Sequence, residues 1–474
     1  MKMRQRRLLD STILIVSFVF VAACWGQVPA PTAAAGFPKG PDVKFTPFVV
    51  INNGKYELDN ADKGQLTGKV TNTEAKDIKI TSSEGHLNPV YVYGEKSNFT
   101  LSDSTIEVSG NGADDFVAIG AGITANGGTT TVRNVKVSTQ GVIRPAMVNT
   151  GNGVMKVYDS RFVAYGGTIP KDYKPVIGGG MMEPPAGLLI HGTARAALTM
   201  GKAKTYLYNT TIIAEGWGAL STDAAEDVYV ECNKCDLQVN KSGYGSYADH
   251  GAHVVLNDTK LNAASYGGVI GGEARIDFNN VTGGAGANMV MIHSVMGKAA
   301  DISRLNITGG KFVADYEALL IKSANADIAL DGAEITSKLG TLIHLRKNED
   351  AYATKVDGQK VTGVRVTMKN EKLEGNITND DQERNMTLTF ANSSLKGAIN
   401  MAEVTLDAAS KWMATGNSKV LLTGNVDVAK IDADKGVTID AVCGKDCALK
   451  GSYNLASGGV LKIVEGQPKQ EPKQ

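Results

Sequence analysis

A short pattern recurs along this sequence and constrains the fold more than any other feature. It consists of a polar residue or glycine, a small or β-branched residue, a second polar residue and usually a hydrophobic one. It follows a segment of alternating hydrophobicity, as in MKVYDSRF and TYLYNTTI. A chain that repeats such a unit stacks each copy on its two neighbours. The copies begin at Asp103, Asn134, Asp159, Asn209, Lys234, Asp258, Asn280, Gly309, Gly332 and Asn392.

Two intervals between copies are longer than the rest. Most copies lie 22 to 31 residues apart, but Asp159 and Asn209 are separated by 50 residues, and Gly332 and Asn392 by 60. Because 50 is twice 25, we expect one disguised copy in the first interval. The second interval predicts a hidden copy together with an insertion.

The repeat unit predicts strands rather than helices. No unit contains twelve residues with a helical period, the consensus of leucine-rich repeats is missing, and 54 glycines with 6% aromatic residues suit short strands and turns. The sequence therefore predicts an all-β fold, a single-stranded right-handed parallel β-helix (a solenoid) of about 15 coils. Its interior would contain the small and the hydrophobic motif residues: Ser104, Ser160, Thr210, Cys235 and Thr259, with Ile106, Phe162, Ile212, Leu237 and Leu261.

The repeats resemble a known superfamily over residues 45–440. The chain resembles the pectate-lyase-like parallel β-helix superfamily, and its later segments LEGNITN, LKGAIN and VTLDAASKWMATGNSKVLL resemble the end of autotransporter passenger and β-helical adhesin domains. These motifs are specific for architecture and weak for activity. The remaining divisions that we expect are a signal peptide (1–23), a tether (24–44), and a C-terminal cap with a polar tail (441–474).

The N-terminus is typical of an exported bacterial lipoprotein. MKMRQRR is a basic segment and STILIVSFVFVAA an apolar one, and Val21-Ala22-Ala23-Cys24 resembles the lipoprotein box. The resemblance implies that Cys24 is acylated, which would hold the protein on a membrane surface. The alternative is ordinary cleavage nearby. Trp25 is not the aspartate that retains many proteobacterial lipoproteins at the inner membrane, which favours the outer membrane or cell surface.

Four further cysteines form two close pairs. In an exported protein, Cys232 with Cys235 and Cys443 with Cys447 predict two local disulfides. A four-cysteine zinc site or a redox-active pair at Cys232 is the alternative. Formal charge balances at 49 basic and 49 acidic residues, so no basic surface indicates nucleic acid.

Residues at equivalent places in successive coils form columns, and one column is aromatic. Such rings could stack on the faces of sugar units, so with His191 they are the candidate ligand-binding residues. The alternative is a structural ladder in which the rings stack on one another or cap the interior. The aromatic column is Tyr165, Trp217, Tyr244, Tyr266 and Tyr316.

A second column is polar and would lie along one edge. Its aspartates Asp223, Asp227 and Asp249 could bind Ca²⁺, which takes six to eight oxygen ligands. Polysaccharide lyases of the superfamily use Ca²⁺ to acidify a uronate proton, and the resemblance implies Arg195, Tyr247 or His250 as candidates for its removal. No lyase motif matches residue for residue. The column is His191, Arg195, Asp223, Glu226, Asp227, Tyr247, Asp249, His250, His253, Glu273 and His293.

Two segments interrupt the repeats. GGTIPKDYKPVIGGGMMEPPAGLL directly precedes His191 and Arg195, so it could form a wall of the same edge or be a neutral insertion. RKNEDAYATKVDGQKVTG, after His344, is charged and is expected to be solvated.

Three functions remain open from the sequence. The first is a non-enzymatic, adhesin-like surface protein that needs no cofactor and binds a polysaccharide or a host component. The second is a Ca²⁺-dependent polysaccharide lyase or uronate epimerase acting on acidic polysaccharide. The third is a structural spacer of the cell envelope. The fold alone does not choose among them, because β-helices serve all three roles.

Overall fold

Parallel strands make up nearly all the regular structure of residues 40–359 and 361–465, which are the residues that the computed structural model describes. These residues contain no α-helix and only two short 3-10 helices, Ala186–Leu188 and Val428–Lys430. The strands form a solenoid of stacked coils, so the predicted all-β parallel β-helix is confirmed. The signal peptide, Cys24 and most of the tether lie outside the described residues.

Each coil contributes strands to three parallel sheets that run the length of the stack. Strands of the first sheet that follow a motif corner begin at the third residue of the motif, and the last four strands of this sheet are a separate four-stranded sheet. Its strands are Glu74–Ser82, Thr105–Ser109, Lys136–Gln140, Arg161–Tyr165, Thr211–Ala225, Asp236–Ala248, Lys260–Ala263, Thr282–Ala285, Lys311–Ala314, Glu334–Ser337, Lys372–Glu374, Ser394–Lys396, Lys411–Ala414 and Ile431–Ala433.

The second sheet follows the first along each coil. Two long strands, Thr211–Ala225 and Asp236–Ala248, belong to both sheets because their C-terminal halves pair with second-sheet neighbours. The other strands of the second sheet are Thr46–Asn52, Leu87–Tyr93, Ile123–Asn126, Met147–Thr150, Arg195–Gly201, Tyr266–Gly271, Val290–His293, Leu319–Lys322, Thr341–Arg346, Asn376–Asn379 and Ile399–Leu406.

The third sheet completes each coil before the next motif. Antiparallel strands at the two ends, Lys55–Leu58, Gln65–Val70 and Ser452–Asn454, pair with the terminal coils. The strands of the third sheet are Asn98–Ser102, Thr129–Arg133, Val154–Tyr158, Lys204–Tyr208, Val228–Asn233, Ala252–Asn257, Arg275–Asn279, Ile302–Thr308, Asn325–Asp331, Val364–Lys369, Met386–Ala391, Ser418–Leu422, Thr438–Cys443 and Val460–Ile463.

The interior is made by in-register stacking of the motif residues. Phe162 pairs with Val137 of one neighbouring coil and with Ile212 of the other, and all three side chains are buried. The small motif residue closes the turn, because Ser160 Oγ accepts a hydrogen bond from the Val135 amide and donates one to the Tyr158 carbonyl. All ten predicted interior residues are buried, which confirms this part of the prediction.

The first residue of the motif forms the corner that leads into the first sheet. In every copy this residue has a φ angle between 47° and 66°, a left-handed conformation that glycine, asparagine and aspartate adopt at lowest cost. The corner side chains also bond between coils: Asn134 donates to Asp103 at 2.8 Å and Asn209 to Asp159 at 3.2 Å. The polar first position is therefore a requirement of the backbone.

The structure resolves the two long intervals differently. Asn370, with a φ of 55°, is the hidden corner in the 60-residue interval, as predicted. The prediction of a disguised copy in the 50-residue interval was wrong. The Asp159 amide bonds directly to the Tyr208 carbonyl, so the two coils are neighbours. The extra residues, 166–194, leave the coil between its first and second sheets, and we call them the first excursion.

The cysteine pairs also differ from each other. Cys443 and Cys447 form the predicted disulfide. Cys232 and Cys235 are free buried thiols, which corrects the second prediction. Cys235 occupies the small interior position of the motif, and burial raises the pKa of the Cys232 thiol, so that the thiol stays protonated. Parallel stacking continues past residue 440 to Val460–Ile463.

Among the described residues, no helix has the length and apolar character needed to cross a lipid bilayer.

Lys234 tests the corner requirement, because it is a lysine in a left-handed conformation (φ 56°). Lys234→Gly is expected to raise the free energy of unfolding by about 1 kcal/mol, since it removes the steric cost of the side chain. Chemical denaturation followed by circular dichroism measures the change. Lys260→Gly, at an exposed strand position of the next repeat, should lower stability by roughly 0.5–1 kcal/mol. Equal losses in both variants would contradict the corner account.

Candidate functional site

A cavity of about 350 Å³ lies between the second sheet, the first excursion and a second excursion, which consists of residues 347–359 and 361–363. Its wall is apolar and includes Phe116, Met181, Leu188, Trp217, Tyr244 and Met296. Its floor is polar and consists of Arg195, Asp223, Tyr247, Asp249, His250 and His293. These six floor residues come from the predicted polar column, so the structure brings together the part of that column that faces the excursions.

Arg195 is the buried centre of the floor. Its guanidinium donates to Asp115 Oδ2 from Nε at 3.0 Å and from Nη2 at 2.8 Å, and to Asp223 Oδ2 from Nη1 at 2.6 Å. Its guanidinium carbon lies 4.9 Å from the centre of the Trp217 ring, a cation–π contact. Burial favours the neutral guanidine, but the two carboxylates outweigh it and raise the pKa of Arg195. Arg195 is therefore always charged and cannot remove a proton, which corrects its candidate role as a base.

The pKa of Asp223 is set by opposing effects of burial and charge. Desolvation raises the pKa of Asp223 to about 6, although the Arg195 charge opposes the rise. The nearby Asp249 carboxylate adds to the increase. Asp223 thus loses its charge more readily on acidification than an exposed aspartate does.

His250 links two carboxylates. Its Nδ1 lies 3.1 Å from Asp249 Oδ1, and its Nε2 lies 3.7 Å from Asp301 Oδ2. The hydrogen bond to Asp249 raises the pKa of His250 against the opposing effect of burial. This pairing holds the ring in one orientation and fixes Asp249 beside the cavity.

His293 has the opposite environment. Only 7% of its surface is exposed, and its Nε2 has no hydrogen-bond partner among the described residues. Burial lowers the pKa of His293 to about 4, and the Lys322 ammonium contributes to the fall. The cavity therefore contains one imidazole that favours the proton and one that is neutral at neutral pH.

Three polar atoms converge next to Gly271. A Cβ atom at this glycine would lie 2.9 Å from Tyr247 Oη and 3.5 Å from both Asp249 Oδ1 and His293 Nε2. Tyr247 Oη itself lies 3.5 Å from Asp249 Oδ1. Desolvation raises the pKa of Tyr247 well above its ordinary value, so the hydroxyl keeps its proton. We call these three groups the Gly271 cluster.

The aromatic column is divided between buried and exposed rings. Trp217, Tyr244 and Tyr266 are buried around the cavity, whereas Tyr165 and Tyr316 are exposed. The reason is the geometry of the two long strands, which pass from the first sheet into the second and direct their rings towards the excursions. Tyr244 hydrogen-bonds Ser221 at 3.0 Å, and Tyr266 donates to the Leu188 carbonyl at 2.9 Å.

Several predicted site residues lie outside the cavity floor. Asp227 pairs with Lys204 at the surface, at 2.9 Å. His253 faces Asp277 on the third sheet, at 2.7 Å. Glu226 is at the rim, and two others are exposed elsewhere, His191 and Glu273.

The predicted Ca²⁺ ligands are not assembled. Asp223 binds Arg195, Asp227 binds Lys204, and Asp249 binds His250, so each carboxylate already faces a cation. In residues 40–359 and 361–465, no group of three or more histidine, cysteine, aspartate or glutamate side chains is placed to hold a metal ion.

Both excursions contribute to the walls. The first is held against the coils by the Lys322 ammonium, which donates to the Gly187 carbonyl at 3.1 Å. The second, residues 347–359 and 361–363, is mostly exposed, as expected of a solvated segment, and it also lines the opening with Asp350 and Tyr352. Sequence reasoning missed Asp115, Asp301 and Lys322, although each is a charged residue next to an apolar one in the sequence.

The sequence matches no protein-family model, and no curated protein matches it. The structure of the cavity is consequently the basis for assigning a function.

His293 makes stability depend on pH. Its folded pKa is below the ordinary value of 6.5, so the unfolded chain binds the proton more tightly and stability falls as pH drops from about 6.5 towards 4. Between these two pH values, the His293→Gln variant should lose roughly 3 kcal/mol less stability than the wild type does, since one pKa unit corresponds to about 1.4 kcal/mol. Denaturation at both pH values measures it.

His191→Gln is the matched control, because His191 is an exposed histidine outside the cavity. It should leave the difference in stability between the two pH values unchanged. If His293→Gln behaves in the same way as His191→Gln, the buried neutral imidazole is contradicted.

Proposed function

We propose that this chain is an exported, lipid-anchored β-helix protein of the bacterial cell envelope, and that it binds a glycan in the side cavity. The observation that carries the proposal is the cavity itself, in which apolar walls and convergent polar groups meet under two excursions. Small-molecule sites combine a mostly apolar lining with a few placed polar groups. A cavity of this size fits one or two sugar units rather than a long flat strand of polysaccharide.

The location rests on the N-terminal sequence. The basic and apolar segments followed by Cys24 support export and acylation, and the proline- and alanine-rich stretch after it would serve as a tether. The resemblance of the later coils to adhesin domains supports display at the outer membrane or the cell surface. Such a protein would present the cavity to glycans or host components outside the cell.

The burial of the rings changes how the glycan would be held. Aromatic faces that line a cavity bind the apolar face of one sugar, while polar groups of the floor bind its hydroxyls. Trp217 already contacts the Arg195 guanidinium, and Tyr244 is fully buried and packs on Tyr247, so Tyr352 is the ring that remains available. Tyr165 and Tyr316 lie outside the cavity and take no part in the proposal.

Blocking the cavity tests the binding function. On a glycan array, Gly271→Ala should reduce binding by about tenfold or more, because its methyl group would occupy the space in front of the Gly271 cluster. Tyr165→Ala removes an exposed ring outside the cavity and should bind as wild type does. Loss of binding in Tyr165→Ala, together with full binding in Gly271→Ala, would contradict the proposal that the glycan binds in this cavity.

The Gly271 cluster favours a second candidate, proton-transfer catalysis on the bound sugar. Asp249 could accept a proton, and the Tyr247 hydroxyl could donate one from the same side of the cavity. His250 would orient Asp249 without contacting the sugar. This arrangement supports the lyase or epimerase class, with Tyr247 and Asp249 in place of Arg195.

An enzyme of this class would convert polymer as well as bind it. Incubation with pectate or alginate should produce unsaturated ends that absorb in the ultraviolet, or a changed C5 configuration that NMR detects. Tyr247→Phe and Asp249→Asn should lower either rate by about 10²-fold or more, and thermal melting should show that both variants remain folded. Absence of both products from wild type, with and without Ca²⁺, rejects the candidate and leaves the binding function in place.

A further inference from the structure

The charge of the cavity limits the kind of sugar that it can hold, and this inference rests on the proposed glycan-binding function. Among the described residues that line the cavity, Arg195 is the only lysine or arginine. All three of its donating nitrogens already bond Asp115 or Asp223. A ligand carboxylate would therefore meet only cations that already face carboxylates, because His250, the other cation of the lining, faces Asp249 and Asp301.

The surrounding groups carry an excess of negative charge. Apart from Glu226, which pairs with Lys202 at the surface, the floor and the charged groups around it contain six carboxylates and four cations. The cations are Arg195, His250, Lys322 and Arg346, and the carboxylates are Asp115, Asp223, Asp249, Asp301, Glu349 and Asp350. In a partly apolar cavity, where charges are poorly screened, this excess attracts a cation and repels an anion.

The Gly271 cluster offers the matching hydrogen-bond groups. Tyr247 Oη, Asp249 Oδ1 and His293 Nε2 surround one point beside Gly271. His293 is more than nine-tenths buried, and its Nε2 lacks a partner in the part of the chain that the structure describes. In the tautomer with the proton on Nδ1, this nitrogen is an acceptor, so all three atoms can accept hydrogen bonds. An alkylammonium group has three hydrogens to donate.

We propose that the cavity selects a sugar carrying a protonated amine, a hexosamine unit, whose three ammonium hydrogens bond Tyr247, Asp249 and His293. Asp249 supplies the charge, and His250 positions it. The apolar ring face of the same sugar contacts Tyr352 at the opening. A uronate is disfavoured by charge, and an N-acetyl hexosamine by the loss of its positive charge and the extra bulk at nitrogen.

Titration of the full chain with four probes tests this selectivity. The probes are glucosamine oligomers, the same oligomers N-acetylated, galacturonate oligomers, and cyclohexylamine as an amine without a sugar. Tryptophan fluorescence reports binding, because Trp217 lines the cavity, and calorimetry confirms it. We expect glucosamine oligomers to bind about tenfold or more tightly than the N-acetylated and the galacturonate oligomers.

Two isosteric variants and one control complete the design. Asp249→Asn removes the charge and should abolish the preference for the free amine. Tyr247→Phe removes one acceptor and should weaken amine binding. Tyr165→Ala should retain the full preference. Thermal melting of each variant shows whether the fold is intact, so a loss of binding in a folded Asp249→Asn protein supports the proposal.

The remaining outcomes distinguish the amine proposal from the proposed glycan binding. If N-acetylated or galacturonate oligomers bind as well as glucosamine oligomers, the amine proposal is overturned and glycan binding stands. If cyclohexylamine binds but no saccharide does, amine recognition stands and the glycan function fails. If none of the four probes binds, both are overturned.

Discussion

The whole structure depends on one backbone constraint, the left-handed corner that begins each first-sheet strand. A corner at the same place in each coil keeps successive coils in register, so that Phe162 stacks on Ile212 and each motif hydroxyl closes its own turn. Residues that do not fit the coil cannot be absorbed within it, because a shift of one position would turn interior side chains outward. They leave as excursions, and two excursions, residues 166–194 and residues 347–359 with 361–363, contribute to the walls of the cavity.

The fold could be predicted because the corner requires particular residue types at fixed positions of the repeat. Each coil requires three residue types, and the next coil repeats them. They are Asn, Asp or Gly at the first position of the motif, a small or hydroxyl residue at the second, and an apolar residue two positions further on. The disguised copy between Asp159 and Asn209 was expected wrongly, because spacing alone cannot distinguish an extra coil from an excursion. Asn370 shows that a corner residue, rather than a spacing, identifies a coil.

The site was only partly predictable for a related reason. Column positions brought Arg195, Asp223, Asp249 and His293 to one side, because register is periodic. Whether a ring faces solvent or an excursion depends on where that excursion lies, and the sequence does not encode this periodically. Trp217 is consequently buried against the first excursion, whereas Tyr165 of the same column is exposed.

Burial then decides the chemistry of the cavity. Arg195 is held by two carboxylates and becomes a fixed positive charge, while His250 and His293 differ in proton affinity because one faces carboxylates and the other faces apolar surroundings and Lys322. Unpaired buried charges are costly, and networks of this kind persist where their arrangement is needed. The same network that stabilises the floor also makes the cavity acidic.

The most direct test of this account is hydrogen–deuterium exchange of the wild-type chain with and without a saccharide that it binds. The account predicts slower exchange in three distant stretches at once, residues 177–190, 244–250 and 347–352, because coil stacking brings them to one cavity. Residues 161–165 and 316 should exchange at unchanged rates. Protection confined to those last residues, or to only one of the three stretches, would contradict a single cavity assembled from separate coils.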